Sequence, residues 1–184
     1  MKLYIIKKWE GFKAEPYLCP AGVATIGYGT TIYQDGRKVS LNDHPITERY
    51  ASELLEQHCI KIKRDILYSC KSPLNINQIS ALVSFVYNVG IGAFKRSTML
   101  KKLNYGDLRG ASLEFEKWDK ATVKGKKVVL PGLTKRRHEE KELFLQAPYK
   151  EQKKNIVNEN KNITIFSIIK NFFKKLFGFT NGRN

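Results

Sequence analysis

The sequence predicts an α+β fold that is mostly α-helical, with a small β-sheet subdomain, a helical bundle and a C-terminal amphipathic helix. Three observations lead to this prediction. Apolar residues recur at helical spacing at the start of the chain, the segment 17–39 is rich in glycine and β-branched residues, and capping signals divide the remainder into helices.

The first helix is predicted from a single apolar stripe. Leu3, Ile6, Trp9 and Phe12 are spaced as on one face of a helix, so a helix is expected over residues 3–13. Gly11 marks its end, because glycine adopts the backbone conformations that terminate helices.

The sheet is expected in the segment 17–39. Small and β-branched residues alternate there, and Asp35 with Gly36 is typical of a tight turn. This assignment puts Cys19 and Thr25 in the first loop of the sheet.

Helix caps organise the chain after the sheet. Thr47 and Asp107 are typical N-cap residues, and Asn75 followed by Gln78 forms a capping-box pattern. The predicted helices cover residues 47–69, 75–88, 107–118 and 134–146.

Composition divides the chain into three parts: a main domain at residues 1–147, a polar linker at 148–162 and a basic amphipathic helix at 163–184. The net charge is +16, and no apolar run is long enough to span a membrane or to form a signal-peptide core. Residues 163–179 carry phenylalanines on one face and lysines on the other, which favours an anionic membrane surface as a partner. Docking of this helix on the domain at residues 1–147 is the alternative.

The cysteines and histidines indicate neither disulfides nor metal. Cys59 and Cys70 lie eleven residues apart in one predicted helix, about 16 Å, which is too far for a disulfide. His44, His58 and His138 have no metal-ligand spacing, so we expect no metal and no organic cofactor.

The spacing of three residues near the N-terminus predicts chemistry on a glycosidic bond. Eight residues separate Glu10 from Cys19, and five separate Cys19 from Thr25. A carboxyl group can protonate a leaving oxygen while a second group works with water on the other side of the sugar. Thr25 is followed directly by the segment Ile26-Gly27-Tyr28-Gly29.

This triplet and its surroundings resemble the bacteriophage-type lysozymes, the endolysins of glycoside hydrolase family 24. The similarity extends through residues 9–12, 24–31, 77–90, 103–107 and 132–140. It implies a muramidase that cleaves the β-1,4 bond between N-acetylmuramic acid and N-acetylglucosamine in peptidoglycan. The site residues that it implies are Glu10, Cys19 and Thr25 for catalysis, and Gly27, Tyr28, Gly29, Asn88, Arg136 and Arg137 for substrate binding.

Two positions depart from the usual pattern of these lysozymes. Cys19 stands where most of them have Asp, and it could act as a base toward water, attack the sugar or only support the shape of the site. The family is generally inverting, which favours the role at water. Thr30 stands where the family usually has His.

The resemblance also implies where the protein acts. We expect a monomer that is held in the host cytoplasm and released to the bacterial cell wall by a separate route, with no nucleic-acid partner despite the basic charge. The alternative for the whole chain is a membrane-active basic binding protein whose lysozyme domain is weakened by Cys19.

Overall fold

The apolar stripe at the start of the chain forms α1 (Tyr4–Glu10), which ends at Gly11 as predicted.

The computed structural model describes residues 1–123 and 125–147. The predicted linker at 148–162 and the predicted helix at 163–184 lie outside the described residues.

The first sheet is a two-stranded hairpin, β1 (Lys13–Leu18) and β2 (Ala24–Gly27). It begins before residue 17, and Tyr17 lies opposite Thr25, so Thr25 belongs to β2 and only Cys19 lies in the loop. The extended run does not reach Val39, because the backbone at Gly27 and Gly29 takes positive φ and turns the chain back. Between this turn and Val39, the backbone forms isolated bridges rather than a further strand.

Helices make up most of the remaining described chain. They are α2 (Glu48–Ser69), α3 (Ile76–Val89), α4 (Ile91–Lys95), α5 (Thr98–Asn104), α6 (Leu108–Glu114), a 3-10 helix (Phe115–Trp118) and α7 (Pro131–Leu145). The predicted caps at Thr47, Asn75 and Asp107 are confirmed, because their side chains accept hydrogen bonds from backbone N–H groups of the first turn.

Four features of the helical part differ from the prediction. The short helices α4 and α5 and the hairpin formed by β3 (Lys120–Val123) and β4 (Lys126–Val129) were not expected. The α-helix α6 ends at Glu114 and continues as a 3-10 helix to Trp118, and α7 begins at Pro131 rather than Thr134. Proline suits a first helical position because its missing N–H would have no partner there.

The core is built around α3, whose residues 77–86 are all buried. Phe85 packs edge-on against Phe115 and Trp118, and Phe144 of α7 closes the cluster against Phe115. Cys59 is buried within this core, and all three cysteines are free thiols, as expected. Within the described part of the chain, no helix is both long and apolar enough to cross a bilayer.

A smaller apolar cluster joins the sheet to α2. It consists of Ile26, Tyr33, Val39 and Leu54. Gly27 lies at its edge with φ +67°, and a Cβ atom there would be 3.0 Å from the Cβ of Ala51. The sheet approaches α2 this closely because residue 27 has no side chain.

Replacement of Gly27 by alanine is expected to lower the free energy of unfolding by about 2–4 kcal/mol, from backbone strain plus overpacking against Ala51. Gly36→Ala is the matched control, because Gly36 has φ +87° with nothing near its Cβ position. The control should cost only about 1–2 kcal/mol. Urea denaturation of both variants measures the difference, and equal losses would contradict the packing argument.

Candidate active site

Glu10 is the last residue of α1, at the junction between the helical part and the sheet. Its Oε1 accepts a hydrogen bond of 2.8 Å from Nη1 of Arg136, which is buried in α7. The Glu10 side chain is 24% exposed, against 4% for Arg136. A nearly buried guanidinium therefore orients a carboxyl group that remains open to solvent on one side.

The second oxygen of Glu10 faces Gly29 and Tyr87. A Cβ atom at Gly29 would be 3.9 Å from Glu10 Oε2 and 3.3 Å from the Tyr87 hydroxyl. Tyr87 Oη donates a hydrogen bond of 2.7 Å to the carbonyl oxygen of Tyr28. The tyrosine from α3 therefore lies beside the Tyr28–Gly29 loop near Oε2, whereas Trp9 donates a hydrogen bond to Glu139.

Cys19 lies in the turn between β1 and β2. The turn is closed by bonds from Cys19 N–H to the Val23 carbonyl (3.0 Å) and from Gly22 N–H to the Cys19 carbonyl (2.8 Å). Backbone hydrogen bonds from Val23 and then Ala21 hold the pKa of the Cys19 thiol below its ordinary value. Such donors stabilise the thiolate, the form that acts as base or nucleophile.

Thr25 is buried beside this turn. Its hydroxyl donates a hydrogen bond of 2.9 Å to the Val23 carbonyl, and it also helps to lower the pKa of Cys19. The structure thus places Thr25 next to the turn that carries Cys19.

Tyr17 connects the two candidate groups. Burial raises the pKa of its hydroxyl, and the charges of Glu10 and Cys19 raise it further. Both groups are therefore within electrostatic reach of one phenol. Glu10 and Cys19 therefore both lie near Tyr17, although they belong to different elements.

A buried charge cluster lies behind Glu10. Glu140, fully buried, accepts hydrogen bonds from Arg136 Nε (3.1 Å), Arg137 Nη1 (2.5 Å) and Ser84 Oγ (2.7 Å). Arg137 also donates to the side chain of Asn88 and to the Trp118 carbonyl. Burial raises the pKa of Glu140, and its two arginines oppose that effect.

The remaining predicted substrate residues divide into two groups. Asn88 is exposed at the end of α3, whereas Gly27 faces Ala51. Tyr28 is buried, and its hydroxyl donates to Glu48 Oε1 at 2.6 Å. Burial, with Glu48 beside it, raises the pKa of Tyr28 to about 12. The close approach of Gly27 to Ala51 and the bond from the Tyr28 hydroxyl to Glu48 thus hold the loop against α2.

Three residues of the site were not predicted from sequence: Ser84, Tyr87 and Glu140. Ser84 and Tyr87 are three positions apart on α3, and Arg136 and Glu140 are four apart on α7, so each pair shares a helix face. Their spacing in the sequence could have predicted that the residues of each pair lie on the same helix face. In the described ranges, His, Cys, Asp and Glu form no group that could hold a metal ion.

The small sheet beside a helical domain, with a carboxyl group at their junction, defines a lysozyme type of fold. An endolysin of Acyrthosiphon pisum secondary endosymbiont phage 1 is 44% identical over 145 residues, which cover 79% of this chain and 95% of that protein. An endolysin structure from the Escherichia coli O157:H7 phage FAHEc1 has a TM-score of 0.72 and 39% identity, and the match covers 80% of this chain and 92% of that one.

The muramidase domain of SpmX from Asticaccaulis excentricus is also similar, with a TM-score of 0.70 and 33% identity over 79% of this chain and 95% of that one. The phage lysozyme family matches residues 7–140. The chain belongs to the phage lysozyme family.

The three thiols should differ in reactivity. Burial raises the pKa of Cys59 to about 12 and that of Cys70 to about 11, whereas the pKa of Cys19 is lowered. Iodoacetamide at pH 7 should therefore modify Cys19 at least about tenfold faster than the other two. Peptide mass spectrometry over time measures the rates.

Thr25→Val is a useful companion variant for this measurement. Without the Thr25 hydroxyl, alkylation of Cys19 should slow, while Cys59 and Cys70 stay unchanged. Equal rates at all three thiols of the folded wild type would contradict the thiolate-stabilising turn.

Proposed function

We propose that the protein is an endolysin that lyses its host by hydrolysing the β-1,4 bond between N-acetylmuramic acid and N-acetylglucosamine in peptidoglycan. The observation that carries this proposal is the Glu10 carboxyl, held on one oxygen by buried Arg136 and turned with the other toward Gly29. Membership of the phage lysozyme family and the endolysin and muramidase names of its relatives support it.

Glu10 is proposed as the proton donor. The bond to Arg136 fixes Oε1, so Oε2 is the oxygen that can carry a proton to the glycosidic oxygen as that bond breaks. Gly29 permits this approach, because any side chain at residue 29 would push against Tyr87 and approach Oε2. A fixed geometry of this kind removes most of the orientational cost of proton transfer.

Cys19 is proposed as the base on the other side of the sugar. Its thiolate would take a proton from water while the water oxygen bonds to the anomeric carbon and the leaving oxygen receives the proton of Glu10. Thr25 would orient this water, since a hydroxyl both donates and accepts. The lowered pKa of Cys19 supports this role, because more of the thiol is ionised at neutral pH.

Asn88 and Arg137 are proposed to support the sugar-binding lip. Arg137 fixes the oxygen of the Asn88 side chain, which leaves the exposed amide N–H groups available to sugar hydroxyls and acetamido carbonyls. Gly27 would contribute through its backbone, by shaping the loop, and the buried Tyr28 side chain would support that loop rather than touch the substrate.

Glu10→Gln should lower hydrolysis of purified peptidoglycan by roughly 10²–10⁴-fold, because an amide keeps the shape but cannot donate the proton. Release of reducing sugar measures the rate, and a melting curve checks the fold. Glu15→Gln is the matched control, since Glu15 is exposed in β1 and should have no effect. Substantial lysis by a stably folded Glu10→Gln variant would remove Glu10 from the mechanism.

Cys19→Asp should keep activity and move the acid limb of the pH profile to lower pH. A base works only when ionised, so activity is present above its pKa and is lost as pH falls through it. A carboxyl has a lower pKa than a thiol, which explains the direction of the shift.

Cys19→Ser provides the test of the thiol itself. The hydroxyl keeps the shape but does not ionise near neutral pH, so activity should fall by roughly 10²–10⁴-fold. Full activity of Cys19→Ser, or an unshifted profile for Cys19→Asp, would leave Cys19 with a structural role only.

We further propose that the protein reaches the wall from the host cytoplasm by a separate route and that residues 163–179 contact anionic membranes on the way. Residues 148–184 contain eight basic and two acidic residues, and the phenylalanines of this segment share one face of a predicted helix. A bilayer surface attracts the basic residues by about 1 kcal/mol each.

Deletion of residues 148–184 should leave hydrolysis of purified peptidoglycan unchanged while weakening binding to anionic vesicles and lysis of intact Gram-negative cells. A peptide of residues 161–180 should gain helicity on such vesicles and lose affinity as salt rises. A lower melting temperature after truncation, with a peptide that ignores vesicles, would instead favour docking on the catalytic domain.

A further inference from the structure

Tyr87 of α3 brings a neutral hydroxyl group close to the Glu10 carboxyl. A Cβ atom at residue 29 would lie 3.3 Å from Tyr87 Oη and 3.9 Å from Glu10 Oε2, so both oxygens adjoin the space that Gly29 leaves empty. Burial raises the pKa of Tyr87, and the charge of Glu10 raises it further. The phenol therefore keeps its hydrogen through the neutral and mildly alkaline range.

The single hydrogen of the Tyr87 hydroxyl is used away from Glu10. Tyr87 Oη donates a hydrogen bond of 2.7 Å to the carbonyl oxygen of Tyr28. A phenol has one hydrogen to donate, so the oxygen can present only lone pairs to Glu10. A lone pair repels a carboxylate oxygen and accepts a hydrogen bond from a protonated one. It therefore favours the protonated acid.

The neighbours of Tyr87 hold its ring without adding charge in the alkaline range. His58 of α2 packs against the ring, with centroids 5.1 Å apart and planes inclined at 50°. Burial, and then the charge of Lys61, lower the pKa of His58, so this imidazole is neutral above neutral pH. The nearby Cys59 thiol is also neutral there, because burial raises its pKa to about 12.

The other titratable groups around Glu10 act in a different way. Arg136 of α7 pairs with Oε1 at 2.8 Å, and the charge of Arg137 is also within electrostatic reach. Both cations favour the carboxylate form of Glu10. Tyr17 of β1 is a second phenol within reach, on the sheet side. Tyr87 differs from all three because its bond to a backbone carbonyl turns an acceptor toward the acid.

We infer that Tyr87 is a positioning residue that keeps the proton of Glu10 on Oε2, an inference that deepens the proposed hydrolysis and rests on it. The Tyr87 oxygen accepts a hydrogen bond from protonated Oε2, directly or through one water, until the glycosidic oxygen takes that proton. The bond between Oε2 and hydrogen then breaks, a bond between hydrogen and the leaving oxygen forms, and Tyr87 keeps its own hydrogen. Arg136 thus orients the carboxyl through one oxygen, and Tyr87 holds the proton on the other.

Tyr87→Phe should move the alkaline limb of the pH profile for hydrolysis of purified peptidoglycan to lower pH by about one unit, the effect of one hydrogen bond. An acid works only while protonated, so activity is present at low pH and is lost as pH rises. Without the acceptor, the proton leaves at lower pH. The rate should fall about tenfold on the alkaline side and at most about twofold on the acid side.

Tyr33→Phe is the matched control. Tyr33 is also buried, and its hydroxyl donates a hydrogen bond of 3.0 Å to Asp43 Oδ2 in the cluster between the sheet and α2. This variant should lose a similar amount of stability and keep the wild-type pH profile. If Tyr87 served packing alone, its variant would lose activity equally at every pH. Such a uniform loss, or an equal shift in the control, overturns the inference.

A titration without substrate separates this inference from the proposed hydrolysis. Isotope labelling of the glutamate carboxyl carbons allows the Glu10 signal to be followed by NMR, and Glu10→Gln assigns it by its absence. The signal should change at a pH about one unit lower in Tyr87→Phe than in the wild type. That difference in a protein that does not hydrolyse peptidoglycan would overturn the proposed function and keep the role of Tyr87. An identical titration in both proteins would overturn the role of Tyr87, whatever their activity.

Discussion

The buried contact of Glu140 with two arginines is the interaction on which the rest of the site depends. Ions removed from water cost several kcal/mol each, and this cost is offset only when every charge is paired and hydrogen-bonded. Here Glu140 is bonded by Arg136, Arg137 and Ser84, and no buried side-chain nitrogen or oxygen atom in the described residues lacks a partner. Removal of one member would leave an uncompensated charge in the core.

The cluster also holds the surrounding elements in place. Arg136 reaches α1 at Glu10, while Arg137 reaches α3 at Asn88 and the end of the 3-10 helix at Trp118. The proposed proton donor, the proposed sugar lip and the base of the β3–β4 hairpin are therefore held by one cluster. Cys19 is held differently, by the backbone of its own turn. One half of the site depends on distant packing and the other on local geometry.

This difference explains what the sequence could predict. The turn at Cys19 and the cap at Asn75 are local, and local patterns indicated both. Arg136 and Glu140 look like an exposed ion pair on a helix, and only the packing of α7 against α3 buries them. The helices α4 and α5 are too short for a periodic signal, and the β3–β4 hairpin has no buried face to produce one. The similarity to lysozymes placed Arg136 and Arg137 among the substrate-binding residues, and only the structure pairs Arg136 with Glu10 and places Glu140 behind both arginines.

The pairing of Glu10 with Arg136 joins residues 126 positions apart, almost the whole length of the domain. A ribosome releases the N-terminal segment long before it makes α7. During synthesis, the turn that holds Cys19 can form early, but the carboxyl group has no guanidinium to orient it until the last helix has emerged and docked. Chains that stop before α7 therefore lack this orientation of the Glu10 carboxyl, and under the proposed mechanism hydrolysis can begin only once α7 has docked.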